Sequence, residues 1–137
     1  SAVAVRMLGA GDTALFDDDA AAFVDGVDAR VAASLVGDPW RHVAIAVDAG
    51  RLVGVAVAMR REGHELVVAD LVVAPSHRRR GVARRLLATL LAHGRALGCA
   101  AASLEADRDD AAVRALCAAA GGVEHAPARV KVAFDLA

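Results

Sequence analysis

The 137-residue chain has no tyrosine, one tryptophan, three phenylalanines and two cysteines, and Lys131 is its sole lysine. So few aromatics speak against a single-stranded nucleic-acid binder, which stacks bases on aromatic rings. The net charge of −1, from 16 basic and 17 acidic residues, speaks against nucleic acid more generally, because such affinity comes mainly from neutralising phosphates. The chain is 57% apolar, yet no apolar run approaches the ~20 residues of a membrane helix. The amino end, SAVAVRMLGAGD, lacks the basic-then-apolar layout of a signal peptide. Cys99 and Cys117 form no C-x-x-C and have no histidine pair nearby. They read as free thiols in a reducing compartment, with neither disulfide nor metal. The expectation is a soluble, cytoplasmic protein without a metal site, built as one domain over residues 1–137.

No internal repeat or long linker interrupts the chain. VAVRML (Val3 to Leu8) alternates and reads as a strand. Asp12 or Thr13 is placed to cap a short helix, and a second helix over Asp28 to Val36 stops at Gly37-Asp38-Pro39. Two apolar strands, Arg41 to Arg60, are joined at Asp48-Ala49-Gly50, and a further strand runs from Glu65 to Pro75. The strongest helix signal follows. Val82, Ala83, Leu86, Leu87, Leu90 and Leu97 share one stripe opposite Arg84, Ala88, Ala92 and Arg95, and Gly98 ends the helix. A strand (AAASLEA), a helix (DDAAVRALCAAAGG) and a last strand (ARVKVAFDL) complete the order β-α-α-β-β-β-α-β-α-β. This predicts an α/β fold: a mixed, mostly antiparallel sheet of about six strands with helices on both faces.

Arg78, Arg79 and Arg80 raise a difficulty, because this reading crowds them at the amino end of a helix, where the dipole disfavours cations by ~0.3–1 kcal/mol each. A multiply charged anion such as a pyrophosphate would turn the crowding into binding. It could take N–H bonds from Arg79 to Ala83 and charge-assisted bonds from the guanidinium groups. Gly81, costly inside a helix, fits close approach of an anion to bare backbone. Neither G-x-x-x-x-G-K-[ST] nor G-x-G-x-x-G is present, so a nucleoside triphosphate or a Rossmann dinucleotide is not indicated. A solvated turn is the plainer alternative.

Arg78-Arg79-Arg80-Gly81-Val82-Ala83 fits [RQ]-x-x-G-x-[GA], the signature of the GNAT superfamily of acyl-CoA-dependent N-acyltransferases. The segment from Asp70 to Gly122 resembles that family, and with the last strand the similarity runs from about Asp48 to Leu136. In pattern it looks closest to the small aminoglycoside 3-N-acetyltransferases, which carry an acidic residue at the position of Asp70. The resemblance implies a GNAT fold and acetyl-CoA as co-substrate. Arg78, Arg79, Arg80, Gly81, Val82, Ala83 and Arg84 would hold the CoA pyrophosphate. Leu71, Val72 and Val73 would line the pantetheine arm, with backbone groups of Leu71 and Val73 pairing with it. A bulge near this point is usual in the family.

Acetyl transfer needs a neutral amine, so a base must take a proton. Asp70, the one acidic residue inside LVVADLVV, is the candidate base or amine anchor, either facing a cleft or buried, with Glu65 in reserve. A structural carboxylate is the alternative. His42 and His64 read as surface residues. Many relatives in the resemblance protonate the leaving thiolate with a tyrosine whose position here is Cys117, and Asp110 stands where an asparagine often touches the pantetheine. Those departures keep a non-catalytic acyl-CoA-binding module open as a second reading. Asp17, Asp18, Asp19, Asp25 and Asp28 are either a solvated face or a wall attracting a polycationic acceptor. A small polyamine-like acceptor leads, with protein amines and arylamines open and room left for a homodimer. Trp40 is expected in the core.

Overall fold

A computed structural model of the chain describes residues 2–62, 64–125 and 129–137. The strands are β1 (Val3–Met7), β2 (Arg41–Asp48), β3 (Arg51–Arg61), β4 (Glu65–Val73), β5 (Ala101–Asp107), β6 (Val123–His125) and β7 (Arg129–Asp135), and the α-helices are α1 (Ala29–Leu35), α2 (Val82–Ala96) and α3 (Ala111–Ala119). The strands form one seven-stranded sheet in the order β1-β2-β3-β4-β5-β7-β6. Every pairing is antiparallel except β4 with β5, which is parallel. That exception follows from connectivity. α2 carries the chain from the end of β4 back to the start of β5, and such a crossover returns the next strand in the same direction.

Alternation along the central strands sorts side chains onto two faces. Ala44, Ala46, Ala56, Ala58, Leu66 and Val68 share one buried cluster with Leu86, Leu87 and Leu90 of α2 and Cys117 of α3. Val43, Ile45 and Val55 point the other way, to Ala32 and Leu35 of α1, Ala20 of the 3-10 turn Ala20–Ala22, and Phe16 just after the 3-10 segment Ala10–Leu15. The alanines on the α2 side leave room for a leucine-rich helix. At Gly54 there is no room to spare, since an added Cβ would lie 2.9 Å from Leu86 Cδ1.

Three local readings are corrected. The sheet has seven strands where about six were expected, because the three-residue β6 is exposed throughout and leaves no hydrophobic signal. Trp40 is 56% exposed, outside either cluster. His42 is half-buried, and its Nδ1 lies 3.0 Å from Nε2 of His93 on α2. Ala128, the start of the predicted last strand, falls outside the described residues. No helix among the described residues is long and apolar enough to cross a membrane.

Candidate active site

The site is built by a defect in β4. Val57 pairs with Asp70 and Ala58 with Val68, so Ala69 is an extra residue on β4, a bulge. In an unbroken strand Asp70 would share the face of Leu66 and Val68 and enter the α2 core. The bulge shifts the alternation, so Leu71 and Val73 take the α2 face while Asp70 and Val72 face the other way. Asp70 is therefore exposed rather than buried. Its carboxylate has no partner among the described residues, which removes the reading as a structural ion pair.

The same bulge opens the sheet. β4 pairs with β5 only from Glu65 to Val68, opposite Ala101 to Leu104. Beyond Val68 the two strands part. The Ala74 N–H donates to the Val53 carbonyl at 2.8 Å, which makes Val53 and Ala74 a hydrogen-bonded pair of the antiparallel ladder. Alternation then gives Val55 with Val72 and Val57 with Asp70 as the bonded pairs. The backbone N–H and C=O groups of Leu71 and Val73 consequently point into the gap. Arg78 Nε donates to the Val73 carbonyl at 3.2 Å.

Gly81 is the N-cap of α2 with φ +75°, and Arg79 also has positive φ at +63°. This corrects the placement of the arginines. Arg78, Arg79 and Arg80 precede the helix in a loop, and Gly81 is required by its left-handed backbone rather than tolerated inside a helix. The first helical bond runs from the Arg85 N–H to the Gly81 carbonyl at 3.1 Å. The N–H groups of Val82, Ala83 and Arg84 thus have no intrahelical acceptor and carry the positive end of a 15-residue helix. They border a cleft of about 250 Å³ lined by Leu71 and Val73 of β4, His77, Arg78, Arg79 and Arg84 of the loop and helix, and Ala112, Val113 and Leu116 of α3. Arg80 and Val72 do not line it.

A second cavity of about 260 Å³ occupies the gap itself, lined by Asp70, Leu71, Glu105, Asp107, Asp110 and Val113 among others. The two cavities share Leu71 and Val113. Asp110 also accepts from the Val113 N–H at 3.1 Å and so caps α3. Its carboxylate lies on the acidic side of the gap.

The remaining candidates sit elsewhere. Glu65 is at the paired end of β4, where it accepts the Ser103 hydroxyl at 2.7 Å. Cys117 is fully buried and lines neither cavity, and burial, followed by the charges of Glu124 and Asp110, pushes its thiol pKa up. Asp17 accepts the Ala20 N–H, Asp19 pairs with Arg51, and Asp28 caps α1. These aspartates stand apart from the gap, so the acidic wall near Asp70 is a different one, made by Glu105, Asp107 and Asp110. Sequence reasoning missed it because those residues read locally as the end of a strand and the start of a helix. The ordinary β5–α3 turn brings them beside Asp70 only once the sheet has opened.

Residues 13–121 match the Acetyltransferase (GNAT) family. The chain belongs to that family, and it is an acetyltransferase by membership. Solved structures share the fold over nearly the whole chain. The ribosomal-protein-S18-alanine N-acetyltransferase of Escherichia coli is 19% identical with a TM-score of 0.77, covering 99% of this chain and 95% of that one. The PaiA N-acetyltransferase of Thermoplasma acidophilum, in complex with coenzyme A, is 10% identical with a TM-score of 0.76, covering 98% and 99%. The IAA acetyltransferase of Bacillus cereus is 13% identical with a TM-score of 0.71, covering 98% and 99%. No curated protein matches the sequence.

Proposed function

We propose that this protein transfers an acetyl group from acetyl-CoA to the amine of a small polycationic acceptor, and that the two substrates meet at Leu71 and Val113. The observation that carries the reading is the junction of a basic cleft and an acidic cavity through the β4/β5 gap. The basic cleft has what a CoA diphosphate needs: three helix N–H groups without intrahelical acceptors, and the Arg78, Arg79 and Arg84 side chains. Leu71 and Val73 offer strand-like backbone pairing to the pantetheine amides and an apolar wall with Leu116. A neighbour of the same fold is a complex with coenzyme A, in keeping with that assignment.

Acetyl-CoA supplies the activated acyl group. The chain's own residues do the rest. Asp70 holds the acceptor ammonium at the gap and takes a proton from it, directly or through water, so that a neutral amine nitrogen bonds the carbonyl carbon. The second N–H proton is lost to water as the amide forms. As the C–S bond breaks, the thiolate takes its proton from water. No tyrosine exists to supply it, and Cys117 is out of reach in the core.

Among the described residues, four carboxylates line the acceptor cavity and no basic side chain does. This favours acceptors with several ammonium groups, such as aminoglycosides or linear polyamines. The test is acetylation of such polycations against amino acids, arylamines and peptide amines, each at low and high salt. Polycations should give the highest kcat/KM, with KM rising as salt screens charges beyond ~8 Å. A preference for neutral or anionic acceptors, or indifference to salt, would remove the polycation reading. Binding of CoA without release of CoA thiol across the whole panel would favour the non-catalytic module instead.

A further inference from the structure

On the side of the arginine loop away from the gap, His77 is held between two side chains. Its Nε2 lies 2.7 Å from Asp48 Oδ2, and its Nδ1 lies 2.7 Å from the Ser76 hydroxyl. Both members of the His77–Asp48 pair are nearly covered, with side chains 14% and 9% exposed. A carboxylate accepts only, so Nε2–H donates to Asp48 and the ring orientation is fixed. Asp48 is the last residue of β2, paired to Val3 on one side and Arg51 on the other. It is thus rooted in the sheet. His77 lines both the basic cleft and a cavity of about 420 Å³ that is also bordered by Asp48, Ala49 and Arg51 of the β2–β3 turn.

We infer that Asp48 is a positioning residue for acetyl-CoA, acting through His77 to hold the arginine loop in its anion-binding shape. The inference rests on the acetyltransferase reading above. Arg79 bears a side chain in the left-handed region, two residues after His77 and two before Gly81. Such a conformation persists only where its surroundings impose it. The other bonds of the loop are local: His77 N–H to the Ala74 carbonyl, and Arg78 Nε to the Val73 carbonyl. They hold the loop to the end of β4 and leave its β2 side to the Asp48–His77 bond. The Asp48–His77 bond spans 29 residues and ties the loop to β2. A loop fixed before the ligand arrives loses less freedom on binding, so the bond acts on affinity for the diphosphate although Asp48 never touches it.

Calorimetry with acetyl-CoA and with S-acetylpantetheine separates this role from a general structural one, because the second ligand has the thioester and arm but no diphosphate. Asp48→Ala and His77→Ala should each weaken acetyl-CoA by about tenfold. The double variant should lose little more, and S-acetylpantetheine affinity should stay within about twofold of wild type. Asp48→Asn keeps the shape and an acceptor oxygen, so it should fall between wild type and Asp48→Ala, and it serves if the alanine variant does not fold. Equal losses for both ligands, or acetyl-CoA binding unchanged in all variants, would overturn the assignment. A wild-type protein that binds neither ligand would instead remove the acetyl-CoA reading itself.

Discussion

From Glu65 to Val68, β4 is paired on both edges, to β3 and to β5; from Asp70 to Val73 it keeps β3 alone. Each half carries one of the two carboxylates considered for catalysis, and the surroundings assign them different work. Glu65 is satisfied by the Ser103 hydroxyl and faces a neighbour across a closed ladder. Asp70 stands at an open edge with backbone donors and acceptors beside it and no ionic partner among the described residues. One extra residue, Ala69, separates these environments. A carboxylate in a strand gains its role from how that strand is paired, and sequence position along β4 says nothing of that.

The most severe way to break the contrast is to delete Ala69. Val68, Asp70 and Leu71 would then alternate as a regular strand, with each side chain on its present face but without the bend. β4 and β5 could pair past Val68 and close the gap. A folded protein with a cooperative thermal transition and no measurable acetyl-CoA binding is the expected outcome. Calorimetry showing near-normal affinity would mean that something other than the bulge opens the sheet.

Next in size is a paired substitution. Asp70→Asn removes the proposed proton acceptor while keeping shape, and turnover should fall by ~10²-fold or more, as for a general base, with acetyl-CoA affinity little changed. Glu65→Gln can still accept the Ser103 hydroxyl, so its kcat should match wild type and its stability should shift by under ~1 kcal/mol. Steady-state kinetics on both variants checks the comparison directly. Equal kinetic losses would mean that the two halves of β4 are not chemically distinct.

Much of this organisation was legible in the chain. The leucine stripe of α2, the alternation of the central strands and the turn at Asp48-Ala49-Gly50 are local patterns, and local patterns survive in sequence. The arginines and Gly81 also marked the place in the chain where the cleft lies, although not as a loop, because nothing in HRRRGVARRLL marks where the helix begins. The bulge was not legible from the residues. LVVADLVV is apolar around Asp70 and fits an unbroken strand as well as a broken one, and only the pairing register to β3 distinguishes them. The Asp48–His77 and His42–His93 contacts join residues 29 and 51 positions apart. Neither has a local signal, since each depends on which strands lie side by side.

A third test works from the helix side of the gap. Gly81→Val places a β-branched residue at φ +75°, a conformation costing roughly 1–2 kcal/mol for an L-residue, and it sets a branched side chain beside the N–H groups of Val82, Ala83 and Arg84. Among the described residues, none beyond its two chain neighbours lies within 4 Å of a Cβ added there. Loss of binding would therefore reflect backbone strain and obstruction of the ligand rather than a clash in the fold. Acetyl-CoA affinity should drop by about tenfold or more, with a smaller change for S-acetylpantetheine. Unchanged affinity would place the diphosphate elsewhere.

The smallest effect concerns the closed side of the molecule and keeps it separate from the open one. His93 lies in the last turn of α2, where the helix dipole alone would favour a proton. Burial, followed by the facing ring of His42, lowers its pKa instead. Asp38 and Arg41 border a cavity of about 290 Å³ beside the two rings but are paired with each other at 3.1 Å. In the unfolded chain His93 takes a proton near its ordinary value of ~6.5. Between that value and the lower folded one, the unfolded state binds more protons, so stability falls as pH drops through the window and is fully present above it. His93→Gln, which can still donate to His42, should flatten this acid loss in urea titrations between about pH 7 and pH 5. The pH profile of acetyl transfer, governed at the gap, should keep its shape. If the variant loses stability in acid as wild type does, the His42–His93 contact is not its source; if the activity profile moves as well, the two sides are coupled and the contrast along β4 is too sharply drawn.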